Sequence, residues 1–261
     1  MVLNGRVERL RINRLFTRIV FGAWIAAATA CAPAVDVVLD PSCPMPSGQE
    51  ATLSGRWQAA PIPLRLSETI GDSSKNFSAT ERAQIYQAIQ TWNTFYAEAR
   101  GFPVLETGLD GDIKTVTGAN PSADLCSSGA LVSGSGFVGA VVLYKQPTWP
   151  AQYGSSAIAM TSSCKMLIGT SSSAKFLNAR IEFNAQFFNF NWIPLSDFET
   201  VVLHELGHLL GLGHSCGGIT KPGVPGCVGR TDLTEAVMYP YASAVKHELA
   251  GNDRERAQCL Y

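Results

Sequence analysis

Three of the chain's four histidines fall within eleven residues, His204-Glu-Leu-Gly-His208-Leu-Leu-Gly-Leu-Gly-His214. No other stretch restricts the fold as tightly. His204 and His208 stand four apart, one helical turn, so a helix here aims both imidazoles from one face. Upstream, Ser196-Asp-Phe-Glu199 reads as a capping box that opens a helix through Val201, Val202, Leu206, Leu209 and Leu210. Gly211 and Gly213 then let the chain leave that helix and turn, bringing His214 toward the other two rings. Three nitrogen ligands leave one position of a tetrahedral ion open, the arrangement of a catalytic Zn2+ site rather than a closed structural one. Glu205, next to His204, is placed to act as general base toward water at such an ion. The competing reading is an amphipathic helix with satisfied histidines, and the concentration of histidines in one run argues against it.

Composition excludes several other classes. With 12 Phe, 7 Tyr and 5 Trp the chain has ample core material, so disorder is not expected. A net charge of -1 over 261 residues gives no basic footprint for nucleic acid.

The first 18 residues carry Arg6, Arg9, Arg11, Arg14 and Arg18 against Glu8, and Ile19 to Ala30 are uncharged and mostly apolar. That is the layout of a signal peptide. Twelve residues at ~1.5 Å each span about 18 Å, short of a ~30 Å hydrocarbon core, which disfavours a permanent membrane helix. Ala28-Thr29-Ala30 puts small residues where signal peptidase cuts, before Cys31. The same four residues resemble a bacterial lipobox with Ala28 in place of the usual Leu, so lipidation of Cys31 and free secretion both stay open. Removal of residues 1 to 30 takes away five arginines and one glutamate and leaves a net charge of -5.

Seven cysteines become six if Cys31 is processed, and in an oxidising compartment paired thiols are the default. Six cysteines allow about 15 connectivities. The pairs favoured here are Cys216 with Cys227, Cys126 with Cys164, and Cys43 with Cys259. Only the first, closing a short Gly/Pro loop, has local support.

Residues 31 to 56 are rich in Pro, Ser and Gly and read as a tether or leader, and residues 57 to 261 as one domain. Pro61 to Ser67 reads as a strand. A helix follows, with a capping box at Ser78-Ala-Thr-Glu81, an apolar stripe of Ile85, Ile89, Trp92, Tyr96 and Ala99, and a stop at Gly101-Phe-Pro103. Further strands are expected within Pro103 to Thr107, Val138 to Tyr144, Ala157 to Thr161 and Ala179 to Asn184.

The run His204 to His214 followed by Ser215, and then Val237-Met238-Tyr239-Pro240, resembles the zinc motif and Met-turn of metzincin metallopeptidases, in the matrixin or matrix-metalloproteinase-like branch. The likeness covers about residues 57 to 261 and is closest over 197 to 261. It implies an α+β fold with a twisted, mostly parallel sheet, an antiparallel edge strand, an active-site helix and a small C-terminal subdomain. Relatives pair extended substrate with that edge strand, for which Ala179, Arg180, Ile181, Glu182, Phe183 and Asn184 are the candidates. The resemblance also implies Met238 as a floor beneath the metal, and Pro240 and Tyr241 as a wall of the primed-side pocket.

Departures qualify the likeness. His214 and Met238 are 24 positions apart, a long spacing that holds Cys216, Cys227 and several Gly and Pro residues. The family's second zinc uses further histidines, and only His247 remains, so no such second site is expected. Asp110, Asp112 and Asp124 are the acids from which a calcium site would be drawn, but solvated loop acids are the default. Pro41-Ser-Cys43-Pro is similar to a propeptide switch but lacks its flanking Arg and Asp, and a disulfide is favoured for Cys43.

The expectation is an exported, monomeric zinc endopeptidase acting on proteins or peptides, with membrane contact only through a lipid anchor. The rival from another class is a surface binding protein that keeps the fold without turnover.

Overall fold

The computed structural model describes residues 35–36, 43–108, 112–127, 140–166, 174–189, 196–217 and 222–261. Five strands, β1 Leu64–Glu68, β2 Thr115–Thr117, β3 Val141–Gln146, β4 Ala159–Met166 and β5 Lys175–Asn184, form one sheet in the order β2-β1-β3-β5-β4. All neighbouring pairs are parallel except β5 with β4. The helices are α1 Ala79–Arg100, α2 Ala185–Asn189, α3 Phe198–Leu210, α4 Thr231–Thr234 and α5 Gly251–Ala257. The fold is therefore α+β with a mostly parallel sheet and one antiparallel edge strand.

Helix α1 forms where its signals place it. Ser78 Oγ accepts from the Glu81 amide at 3.2 Å while Glu81 accepts from the Ser78 amide at 2.7 Å, and Gly101 ends the helix at φ 81°. Ile85, Ile89, Trp92 and Tyr96 are buried with Ala88 and Phe95, whereas Ala99 falls in the exposed last turn. Each large side chain fully removed from water contributes about 1.5–3 kcal/mol. The α1 face meets α3, where Trp92 Nε1 donates to the Leu203 carbonyl at 3.0 Å. Helix α3 in turn lies against β4 and β5, and Phe198 at its start packs on Phe183 of β5. Its cap is Asp197, whose Oδ1 accepts from the Thr200 amide at 2.9 Å, one residue later than the expected Ser196. A carboxylate there also meets the positive end of the helix dipole, which a serine does not exploit.

Two expectations are corrected. Ala179, Arg180, Ile181, Glu182, Phe183 and Asn184 do not form the edge: they belong to β5, which pairs with β3 on one side and β4 on the other. Ala179, Ile181, Phe183, Glu182 and Asn184 are all buried, so both faces of the strand are covered, as an interior strand requires. The edge is β4, which is polar and buries only Cys164.

The described part of the expected tether, residues 43–56, is likewise not a tether. Cys43 is bonded to Cys259, Leu53 bridges Leu212, and the Arg56 amide donates to Ala174 O while Arg56 O accepts from the Phe176 amide. Gln49, Thr52 and Leu53 are buried. This strap has little periodicity because its backbone pairs with loops and a strand end rather than forming a long element of its own. The first 30 residues and Cys31 lie outside the described residues, as does Asp110. No helix among the described residues is long and apolar enough to cross a membrane.

Candidate metal centre

His204, His208 and His214 each offer one ligand atom, and the three atoms lie within 4.8 Å of one another. This is the one metal-capable group of His, Cys, Asp and Glu among the described residues. The ring centroids stand 4.7, 5.3 and 4.9 Å apart. Helix α3 supplies His204 and His208 one turn apart. The chain leaves α3 at Gly211, at φ 117°, where any Cβ would strike the Gly55 carbonyl of the strap. The strap then fastens the turn: the Ser54 amide donates to Gly211 O at 2.7 Å and the Gly213 amide to Thr52 O at 2.5 Å. From the other side, Arg256 Nη1 donates to Gly213 O at 2.9 Å. His214 is delivered from a backbone held on both flanks.

The second nitrogens decide the ring tautomers. His204 Nδ1 lies 2.7 Å from Val237 O and His208 Nδ1 lies 2.8 Å from Leu212 O. A carbonyl only accepts, so each Nδ1 carries the proton and each Nε2 presents a lone pair to the shared centre. Burial holds the pKa of His204 well below the ordinary histidine value, helped by neighbouring His208, and burial likewise lowers His208. His214 keeps an exposed edge, yet desolvation of its ring, and then His208 and Arg256, push it down to about 4. All three are neutral at physiological pH, the state a metal requires. Three neutral imidazoles, two of them with fixed tautomers, are a donor set that fits zinc.

Glu205 is only 6% exposed. Burial pushes its pKa up to about 7, against the opposing effect of Thr161 of β4, whose Oγ1 donates to Glu205 Oε2 at 2.5 Å. A carboxyl poised there can take and return a proton near neutrality.

Met238 is fully buried below the helix, and its Sδ occupies the place that a Cβ on Gly207 would need. Asp253 of α5 holds this turn by accepting from the amides of Val237 at 2.7 Å, Met238 at 3.1 Å and Ala250 at 3.1 Å. The same turn presents Val237 O to His204. Pro240 is half-buried and Tyr241 is 58% exposed, its ring 5.5 Å from that of Tyr239.

All three favoured disulfides are present: Cys43–Cys259, Cys126–Cys164 and Cys216–Cys227. Asp124 is a loop acid whose Oδ1 accepts from the Cys126 amide at 2.9 Å, and Asp112 is also exposed. A cavity of about 490 Å³ lies apart from the histidines, lined by Gln49, Glu235, Asn252 and neighbouring residues.

Sequence reasoning missed Thr161, Gly207, Asp253, Arg256 and the strap. Of these only Gly207 carried a signal, a helix-breaking residue in mid-helix that asks for a close packing partner. No protein-family model matches the chain, and no curated protein matches it.

Proposed function

We propose that the chain is a zinc-dependent endopeptidase of matrixin-like kind that hydrolyses peptide bonds in proteins. One observation carries this reading: three imidazoles, two of them with tautomers fixed by carbonyls, offer ligand atoms within 4.8 Å of one another, and Glu205, next in sequence to His204, carries a buried carboxyl. His204, His208 and His214 would hold the ion. Zinc, when bound, supplies Lewis acidity that polarises a carbonyl and acidifies water.

The chain's own residues do the rest. Glu205 Oε2 is engaged by Thr161, which leaves Oε1 to take the proton of the attacking water and to return it to the leaving amine nitrogen. Val237 O and Leu212 O keep the ring protons on Nδ1 and so orient the ligands. Among the described residues the outer side of β4 has no strand partner, and an extended peptide can add there by main-chain hydrogen bonds. Met238 forms the floor, and Pro240 and Tyr241 a wall of the primed-side pocket.

Export belongs to the same reading. Three disulfides suit an oxidising compartment. The arginine-rich start, the apolar run and Ala28-Thr29-Ala30 before Cys31 support secretion or lipid anchoring in a bacterial envelope.

The test is zinc content and cleavage of a broad peptide library by wild type and Glu205→Ala. The expected result is one zinc per chain in both proteins and a loss of turnover of 10²-fold or more, on the order of a general base's contribution, in the variant. Wild type that holds zinc and is as inert as the variant would mean a binding protein. Cleavage of small esters without any peptide would mean a different hydrolase.

A further inference from the structure

The carboxyl of Glu205 sits in a buried site, and among the described residues Thr161 supplies its only hydrogen bond. Thr161 comes from β4, not from the helix that carries the metal ligands. It pairs in register with Ile181 of β5, so its main chain is fixed on the inner side by the sheet. Its Oγ1 lies 2.5 Å from Glu205 Oε2 and 3.2 Å from the main-chain oxygen of the same residue. A hydroxyl has one proton, and the short contact to the ionisable oxygen takes it.

A glutamate has three rotatable side-chain bonds, and an unheld carboxyl would sample several rotamers even in a confined site. The hydroxyl removes that freedom at one oxygen and leaves the other without a hydrogen bond among the described residues.

We infer that Thr161 is a positioning residue for the general base: it fixes Oε2 so that Oε1 is the oxygen that takes the proton. The inference rests on the peptidase reading above. It also gives β4 a second role. Substrate backbone adding to the open side of β4 would order the strand from which Thr161 reaches, so seating the peptide and aiming the base become one event. A substrate too short to pair with β4 should then lose kcat as well as binding.

The experiment compares Thr161→Val, which keeps the branched shape and removes the donor, with Thr161→Ser, which keeps the donor. In zinc-loaded protein Thr161→Val should lose about 10- to 100-fold in kcat, the cost of a misaimed catalytic group, with KM within about twofold of wild type. Thr161→Ser should recover kcat to within about threefold. Zinc affinity, read by chelator competition, should be the same in all three. The carboxyl infrared band of Glu205, isolated by subtraction of Glu205→Ala, should shift in Thr161→Val and return in Thr161→Ser.

Wild type that cleaves peptides while Thr161→Val matches it in kcat overturns the role of Thr161. So does a Thr161→Ser variant as slow as Thr161→Val, because a filler role would depend on the lost methyl group. Zinc-loaded wild type that shows the band difference yet cleaves no peptide overturns the peptidase reading instead. The two failures are thereby separated.

Discussion

A histidine binds a metal only as the neutral ring, so proton competition sets how far into acid a site can work. Exposed histidines titrate near pH ~6.5. Here desolvation depresses all three, His214 to about 4, so protons compete less than they do at free imidazoles. Zinc affinity should therefore begin to fall at a lower pH than it would with unperturbed rings, and should be lost as pH drops toward 4. Chelator competition from pH 8 to 4 checks it; a steep loss centred near 6.5 would mean rings whose pKa values are not depressed. Gly207 offers a second residue-level test. In an ordinary helix Gly→Ala stabilises by about 0.5–1 kcal/mol. At this position the new Cβ would meet Met238 Sδ, with Trp92 also close, and overpacking costs about 1–3 kcal/mol. Gly207→Ala should thus be net destabilised in urea, and Gly207→Ala combined with Met238→Ala should recover part of the gap relative to Met238→Ala alone.

At the scale of elements, what was legible divides by the range of the interaction that decides it. Helix α1, helix α3 and the turn at Gly211 rest on caps, periodicity and glycine, all local, and the metal ligands were readable for the same reason. The choice of edge strand was not readable. Both Ala157–Thr161 and Ala179–Asn184 look like short strands, and only burial of Glu182 and Asn184 by neighbouring parts of the fold reveals which is interior. Asp253 is a stronger case: nothing near it announces that its carboxylate receives three amides, two of them from the turn beneath His204. Helix α5 thereby supports two ligands at once, through Asp253 to the Val237 turn and through Arg256 to Gly213 O. Asp253→Asn cannot accept at both oxygens, and a buried amide left without a partner costs about 1–3 kcal/mol. That variant should lower thermal stability of the metal-free protein and weaken zinc binding as well. A drop in stability with unchanged zinc affinity would show that α5 only packs.

The whole molecule is tied from its strap to its last helix. Cys43 and Cys259 are 216 residues apart in sequence, whereas Cys216 and Cys227 are separated by 11. By loop-closure entropy alone the long link contributes about 5 kcal/mol and the short one about 3 kcal/mol. Stability therefore favours the long link by about 2 kcal/mol, and the consequences for the metal centre differ in kind as well. The long link holds the strap beside α5, and the strap bonds Gly211 O, bridges Leu212 and accepts from the Gly213 amide. Leu212 O is itself the acceptor that orients His208. Removing this disulfide loosens the backbone that delivers His214 and aims His208, while Cys216–Cys227 ties a loop that starts only after His214. Cys43→Ser with Cys259→Ser should therefore lose zinc affinity by tenfold or more under conditions where the protein remains folded by circular dichroism, since one unit of log affinity corresponds to only ~1.4 kcal/mol of loosened geometry. Cys216→Ser with Cys227→Ser should retain zinc affinity within about threefold, with a smaller but clear loss of melting temperature. Equal losses of zinc affinity in the two double variants would place the effect in general stability rather than in the strap.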